Sequence, residues 1–213
     1  MESLRDKTLV MIVGPTAIGK STLMHEVARL DSRFGYVQSF VTRPMRSGET
    51  STYRHISQDE AKSLREAGKA VTYFEHPTTR VIYGTTVGSF THRFNLLDTL
   101  SGTVDRYRSL PFEHTVTISL TADPDAWTGW LAKRFPDMSE DRTKRLREAI
   151  GSIEWSLAQT HDHHWVVNTS TDLTAAAEQI IAIASSQNSA RATNAPPEAG
   201  KLLERAKSLL SYE

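Results

Sequence analysis

The chain has no cysteine among its 213 residues, which excludes disulfides, cysteine-based zinc sites and thiol nucleophiles. It also has no excess of charge: 25 Lys+Arg stand against 25 Asp+Glu. That balance argues against a general nucleic-acid coat or a membrane-surface binder and leaves only local charge clusters to carry function. No apolar run approaches the roughly 20 residues that span a bilayer. The opening residues include Glu2 and Asp6 and lack the apolar core of a secretory signal. No internal repeat is visible. The expectation is a soluble, cytoplasmic protein with neither nucleic acid nor membrane as partner, of a length that suits one sizeable domain and a tail.

What the chain does have is Gly14-Pro15-Thr16-Ala17-Ile18-Gly19-Lys20-Ser21-Thr22, directly after the apolar run Leu9-Val10-Met11-Ile12-Val13. Its form is Gly-x-x-x-x-Gly-Lys-Ser between a strand and a helix, the order that a phosphate-binding loop needs. The glycines let backbone N–H groups turn inward onto phosphate oxygens. Lys20 reaches the terminal phosphates, and the Ser21 hydroxyl ligates Mg2+. The helix that follows points the positive end of its dipole at the same anion. Gly14, Thr16, Ala17, Ile18, Gly19, Lys20, Ser21 and Thr22 are therefore the expected binding residues for ATP and Mg2+.

Strand and helix signals alternate, which predicts an α/β fold: three layers around a mainly parallel sheet. Strands are expected at 8–13, 36–41, 71–75, 81–83, 115–120 and 165–168. Helices are expected at 20–30, from Ser57 to Gly68, and at 124–134, 140–159 and 173–184. Ser57-Gln58-Asp59-Glu60 has the capping-box form, and Asp123-Pro124 opens a helix. Residues 187–200 read as a Ser/Ala/Asn/Pro-rich linker. The last helix carries Leu202, Leu203, Ala206, Leu209 and Leu210 on one stripe, which packs on the body or joins a second copy, so monomer and homodimer both stay open. The expected division is a P-loop domain over 1–186 and a linker with an amphipathic helix over 187–213. His161-Asp162-His163-His164 is not expected to hold a metal, since adjacent positions at a helix end rarely converge. Trp127 and Trp130, at helical spacing, read as packing residues.

A second signal lies in Ser39-Phe40-Val41-Thr42-Arg43-Pro44-Met45-Arg46-Ser47-Gly48-Glu49. Two arginines three residues apart in a Pro/Gly turn beyond a strand can converge on one phosphate with forked hydrogen bonds. The Ser39 hydroxyl and the Tyr53 phenol are further donors.

With these residues the chain resembles the guanylate kinases and their relatives, which carry Ser-x-x-Thr-Arg-x-x-Arg-x-Gly-Glu at this distance from the phosphate loop. The likeness continues through Tyr53, Glu75, Tyr83-Gly84-Thr85-Thr86, Leu96-Leu97-Asp98, the helix at 141–153 and Trp165-Val166-Val167-Asn168, covering about 8–184. The resemblance implies an acceptor-binding part at about 36–90 and a short lid at about 134–142. It implies that Ser39, Arg43, Arg46, Tyr53 and Tyr83 hold the phosphate of a nucleoside monophosphate, and that Glu75 and Thr85 hydrogen-bond guanine. It further implies Asp98 acting beside Ser21 at the metal, with Lys20, Arg134 and Arg145 neutralising charge during phosphoryl transfer. The implied reaction is ATP with GMP, giving GDP.

The chain also departs from the family pattern. The usual Asp-x-Asp reads Asp98-Thr99-Leu100, the segment from Tyr83 to Thr115 is short, Ser51-Thr52 precede Tyr53, and Phe135-Pro136-Asp137-Met138 follow Arg134 in the lid. Arg142 and Arg145, on the next helix, are candidates to compensate in the lid. The missing acid and the short segment favour an alternative, a related P-loop kinase acting on another phosphorylated small molecule such as a sugar phosphate. A non-catalytic interaction module is a further alternative, against which the intact Lys20-Ser21 and Arg43/Arg46 count. The Gly-Pro-Thr-x-x-Gly-Lys start is also similar to tRNA prenyltransferases, which the balanced charge and the arginine turn disfavour.

Overall fold

The computed structural model describes residues 3–45, 53–75, 79–136, 140–161, 163–169, 172–185 and 195–211. In chain order its elements are β1 Thr8–Val13, α1 Lys20–Leu30, β2 Phe34–Tyr36, β3 Ser39–Val41, β4 Tyr53–His55, α2 Gln58–Glu66, β5 Ala70–Glu75 and β6 Ile82–Thr86. There follow β7 Phe94–Asp98, α3 Val104–Arg108, β8 His114–Thr121, α4 Pro124–Arg134, α5 Glu140–Leu157, β9 His163–Val167, α6 Leu173–Ser185 and α7 Ala195–Ser211.

Five strands form a parallel sheet in the order β2-β7-β1-β8-β9. All six residues of β1 are buried, as expected for a central parallel strand covered on both faces. The pleat sends Val10 and Ile12 into the larger core, with Leu23, Val27, Trp127, Leu131, Ile153 and Ile180 from the helices. It sends Leu9, Met11 and Val13 into a second core with Phe90, Val104 and Tyr107. The three-layer α/β architecture is therefore as expected.

A second, four-stranded sheet has the order β4-β3-β6-β5. The single strand expected over 36–41 is in fact divided between two sheets. β2 belongs to the parallel sheet and β3 to the second sheet, with Val37 still donating to Leu96 before the chain crosses over. A small core of Phe40, Ala61 and Ile82 binds α2 to this sheet. Ser57 caps α2 by accepting from the Glu60 N–H at 3.0 Å, while the Glu60 carboxylate pairs with Arg54 instead of closing the box. Gly68, at φ +64°, ends the helix in the left-handed conformation.

The short α3 was not anticipated. α4 has its expected bounds, with the Asp123 carboxylate accepting from the N–H groups of Asp125 and Ala126 and Pro124 at the first position. α7 begins inside the stretch read as linker, because Pro196 and Pro197 stand in a first turn whose N–H groups have no helical partner anyway. Its Ala199, Leu202 and Ala206 are buried in the larger core, Arg205 pairs with Asp125 of α4, and Lys207 pairs with Glu154 of α5. Among the described residues no helix is long and apolar enough to cross a membrane.

Candidate active site

The glycine-rich loop leaves the carboxyl end of β1, where open parallel sheets bind their ligands. Gly14 at φ +154° and Gly19 at φ +90° use backbone that a side chain would strain, and Ala17 at φ +62° shares the turn. The loop is held from behind through its carbonyls. The indole Nε1 of Trp127 donates to Thr16 O at 2.9 Å, and the Asn168 amide donates to Ile18 O at 2.8 Å. Ile18 itself is fully buried in the larger core. Those two bonds fix the loop at the carboxyl end of β1. α1 starts at Lys20 with no side-chain cap, so its first N–H groups remain open to an anion. Ser21 and Thr22 are exposed on that first turn.

Lys20 lies across the loop, its Nζ donating to Gly14 O at 2.9 Å and to Pro15 O at 3.2 Å. Its Nζ is also 3.9 Å from Asp98 Oδ1. Asp98 ends β7 in register with Ile12 of β1, so sheet pairing sets it beside the loop. The atoms crowding its carboxyl push its pKa up, against the pull of Lys20 and Arg134. The side chain nonetheless keeps 42% of its surface open to solvent. A serine hydroxyl and one carboxylate are hard oxygen donors of the kind that hold Mg2+ together with substrate phosphates. Among the described residues there is no cluster of three His, Asp or Glu that would hold a metal by itself.

Register sorts the acceptor side of the cleft. Ser39 pairs with Tyr53, Val41 with His55 and Tyr83, Thr72 with Thr85, and Phe74 with Tyr83. Paired residues share a face of a sheet, and so do residues two apart on one strand. Ser39, Tyr53, Tyr83, Thr85, Thr72 and Phe74 therefore stand on one face. Arg43 joins this face: its guanidinium lies 5.6 Å from the Tyr53 ring centroid, and Tyr53 meets Tyr83 edge-on at 6.2 Å. The sheet thus brings together Ser39, Arg43, Tyr53 and Tyr83. Arg46 lies outside the described residues.

Glu75 belongs to the opposite face. It pairs with Ile82, whose side chain is buried with Phe40 and Ala61 under α2. Its carboxylate is bound by Arg80 at 2.7 Å. The residue of β5 that faces Tyr83 is Phe74. Thr85 is on the cleft face but fully buried, with its hydroxyl 2.8 Å from that of Thr72. Leu100, where the family carries its second acid, is exposed beside Asp98.

The arginines expected at the lid divide. Arg134 is exposed at the end of α4, and its charge reaches Asp98. Arg145 is half-buried and donates to Glu148 at 2.6 Å, one turn along α5. Arg142 is buried. Of the histidine run, Asp162 lies outside the described residues. His163 stands between Trp155 and Trp165, and its burial, with the charges of Arg108 and His164, lowers its pKa to about 4.

Trp127 is the packing residue expected, but its bond to the loop goes beyond that expectation, as does the bond from Asn168, expected only as the end of a strand. Tyr107 of α3 has no place among the expected residues at all. An indole or an amide side chain that is buried carries a polar group needing a partner, and that is the signal that marks the first two.

A strand, a glycine loop, a helix N-terminus and a carboxylate at the neighbouring strand end define a P-loop protein of guanylate kinase-like fold. No protein-family model matches the chain. A crystal structure of guanylate kinase from Anaplasma phagocytophilum superposes with a TM-score of 0.54, covering 91% of this chain and 92% of that one at 19% identity. Among curated proteins, the ribose 1,5-bisphosphate phosphokinase PhnN of Ruegeria sp. (strain TM1040) is 25% identical over 155 residues, which is 72% of this chain and 81% of that protein. Together these likenesses support a kinase of the guanylate kinase type.

Proposed function

We propose that the protein transfers the γ-phosphoryl group of ATP to a phosphorylated sugar, with ribose 1,5-bisphosphate the first acceptor to test. The observation that carries this reading is the face occupied by Glu75. A guanine-binding carboxylate has to stand on the face of Ser39, Tyr53 and Tyr83, yet Glu75 pairs with Ile82 on the other face and is bound by Arg80. Phe74 stands at the place facing Tyr83, and it offers guanine no acceptor. A site without groups for a base edge has no means of selecting one. The name of the similar PhnN protein supports the same class of acceptor. GMP, the acceptor that the family likeness implies, keeps Ser39, Arg43, Tyr53 and Tyr83 for its phosphate but loses Glu75 for its base.

In the reaction, an ionised oxygen of the acceptor phosphate attacks the γ-phosphorus, the bond to the β-phosphate oxygen breaks, and ADP leaves. No side-chain nucleophile or base is required. The loop N–H groups and Lys20 hold the β- and γ-phosphates, while Arg43, Ser39 and the two tyrosines orient the acceptor. Ser21 and Asp98 would hold Mg2+, which when bound neutralises charge on the phosphates. Arg134 adds positive charge on the same side of the cleft.

A 31P NMR time course with ATP and ribose 1,5-bisphosphate tests the proposal. ADP should appear together with new phosphoanhydride resonances, and both should be absent with Lys20→Ala. Unchanged acceptor resonances in the wild-type reaction would overturn it.

A further inference from the structure

Tyr107 reaches from α3 to the cleft face of the second sheet. Its hydroxyl is 3.2 Å from that of Thr72, which in turn is 2.8 Å from that of Thr85. All three side chains are buried, and the Tyr107 ring is fixed in the core formed by Leu9, Met11, Val13, Phe90 and Val104. α3 is anchored on both sides, Arg106 donating to Tyr73 O at 2.9 Å and Arg108 to the Thr117 hydroxyl at 3.0 Å. The cluster is therefore a rigid, internally satisfied wall.

Its place relative to the arginine is set by strand order. Tyr53, under the Arg43 guanidinium, is on β4; Thr85 is on β6, and β3 lies between them. Two strand spacings amount to about 10 Å. Register makes the two nearly level, since Ser39 pairs with Tyr53 and the next residue, Phe40, pairs with Gly84. An acceptor held by its phosphate at Arg43 and Tyr53 thus meets the wall after about two strand spacings across the sheet.

We infer that Tyr107 sets acceptor specificity: with Thr72 and Thr85 it walls the cleft about two strand spacings from Arg43, where a planar purine would have to stand, so that a sugar with its phosphates is accepted and a base is not. The inference rests on the sugar-phosphate reading for its biological meaning, but its test does not depend on turnover. Ribose 5-phosphate and GMP share a phosphate and a ribose and differ by the base, so they measure reach directly.

The experiment is calorimetric titration of both compounds into the wild-type protein, Tyr107→Phe and Tyr107→Leu, with a thermal melt of each variant. The wild type should bind ribose 5-phosphate at least tenfold more tightly than GMP. Tyr107→Phe keeps the ring and should keep that ratio within twofold, whereas Tyr107→Leu shortens the wall and should bring GMP at least tenfold closer to ribose 5-phosphate. Equal or tighter binding of GMP by the wild type would overturn the inference even if Tyr107→Leu failed to fold. So would a folded Tyr107→Leu with the wild-type ratio. Failure of the functional reading looks different: the protein would still bind ribose 5-phosphate at least tenfold more tightly than GMP, but ribose 1,5-bisphosphate would not be phosphorylated.

Discussion

The indole of Trp127 and the carbonyl of Thr16 are joined at 2.9 Å across 111 residues of sequence. A fully buried side chain on α4 thereby holds the phosphate loop from behind, so that the core and the nucleotide site are one construction. Trp127→Phe keeps an aromatic filler but orphans the Thr16 carbonyl, a loss of about 1–3 kcal/mol. The melting temperature should fall and the Kd for ATP should rise several-fold, as read by differential scanning fluorimetry and titration. An unchanged ATP affinity in the folded variant would separate the loop from this support.

Gly19 meets two constraints at once. Its φ is +90°, and a Cβ there would collide with the Asn168 amide. The strained backbone alone costs about 1–3 kcal/mol, so Gly19→Ala should weaken ATP binding by at least about tenfold. In an Asn168→Ala background the collision is gone and only the strain remains, so the same change should cost less. Equal costs in the two backgrounds would show that the amide does not press on Gly19.

Arg43 presents a planar group over the Tyr53 ring, a geometry that lysine does not reproduce. Arg43→Ala should raise the acceptor KM by about tenfold or more, the loss expected for a charge-assisted hydrogen bond of about 1.5–3 kcal/mol. The KM for ATP should stay within twofold. Arg43→Lys should recover only a small part. Initial-rate kinetics with each substrate varied in turn checks the split, and an equal rise in both KM values would count against an acceptor role.

His163 couples the fold to pH. Neither of its ring nitrogens has a hydrogen-bond partner among the described residues, and its pKa is lowered to about 4 from 6.5. Between those two values the unfolded chain binds a proton that the folded chain refuses. Stability should therefore fall as pH drops from 6.5 towards 4, by at most about 1.4 kcal/mol per pH unit from this group. Urea midpoints at pH 7 and pH 5 should show that slope, and His163→Gln should flatten it.

Much of the donor half of the cleft was legible from sequence, because its chemistry demands particular residues at fixed spacing. Gly14, Gly19, Lys20 and Ser21 follow an all-buried strand, and the structure gives the glycines the backbone conformations that the motif implies. α4 was readable at both ends because Asp123 and Pro124 are strong start signals. The acceptor half was harder. β2 and β3 are three residues each, separated by Val37 and Gln38, and one apolar stretch hides that they serve different sheets. The face of Glu75 depends on long-range register and on a bulge between Ala70 and Thr72, neither of which leaves a local trace. α3 is five residues long with no side-chain cap, so Tyr107 lacked even an element to stand on.

The most direct measurement is the ratio of kcat/KM for ribose 1,5-bisphosphate to that for GMP, with ATP saturating, in the wild type and in Glu75→Gln. With Glu75 on the α2 face and bound by Arg80, the sugar bisphosphate should be preferred by at least tenfold, and Glu75→Gln should move that ratio by less than threefold. A preference for GMP that collapses in Glu75→Gln would contradict the account, since it would require the carboxylate to read guanine from the cleft.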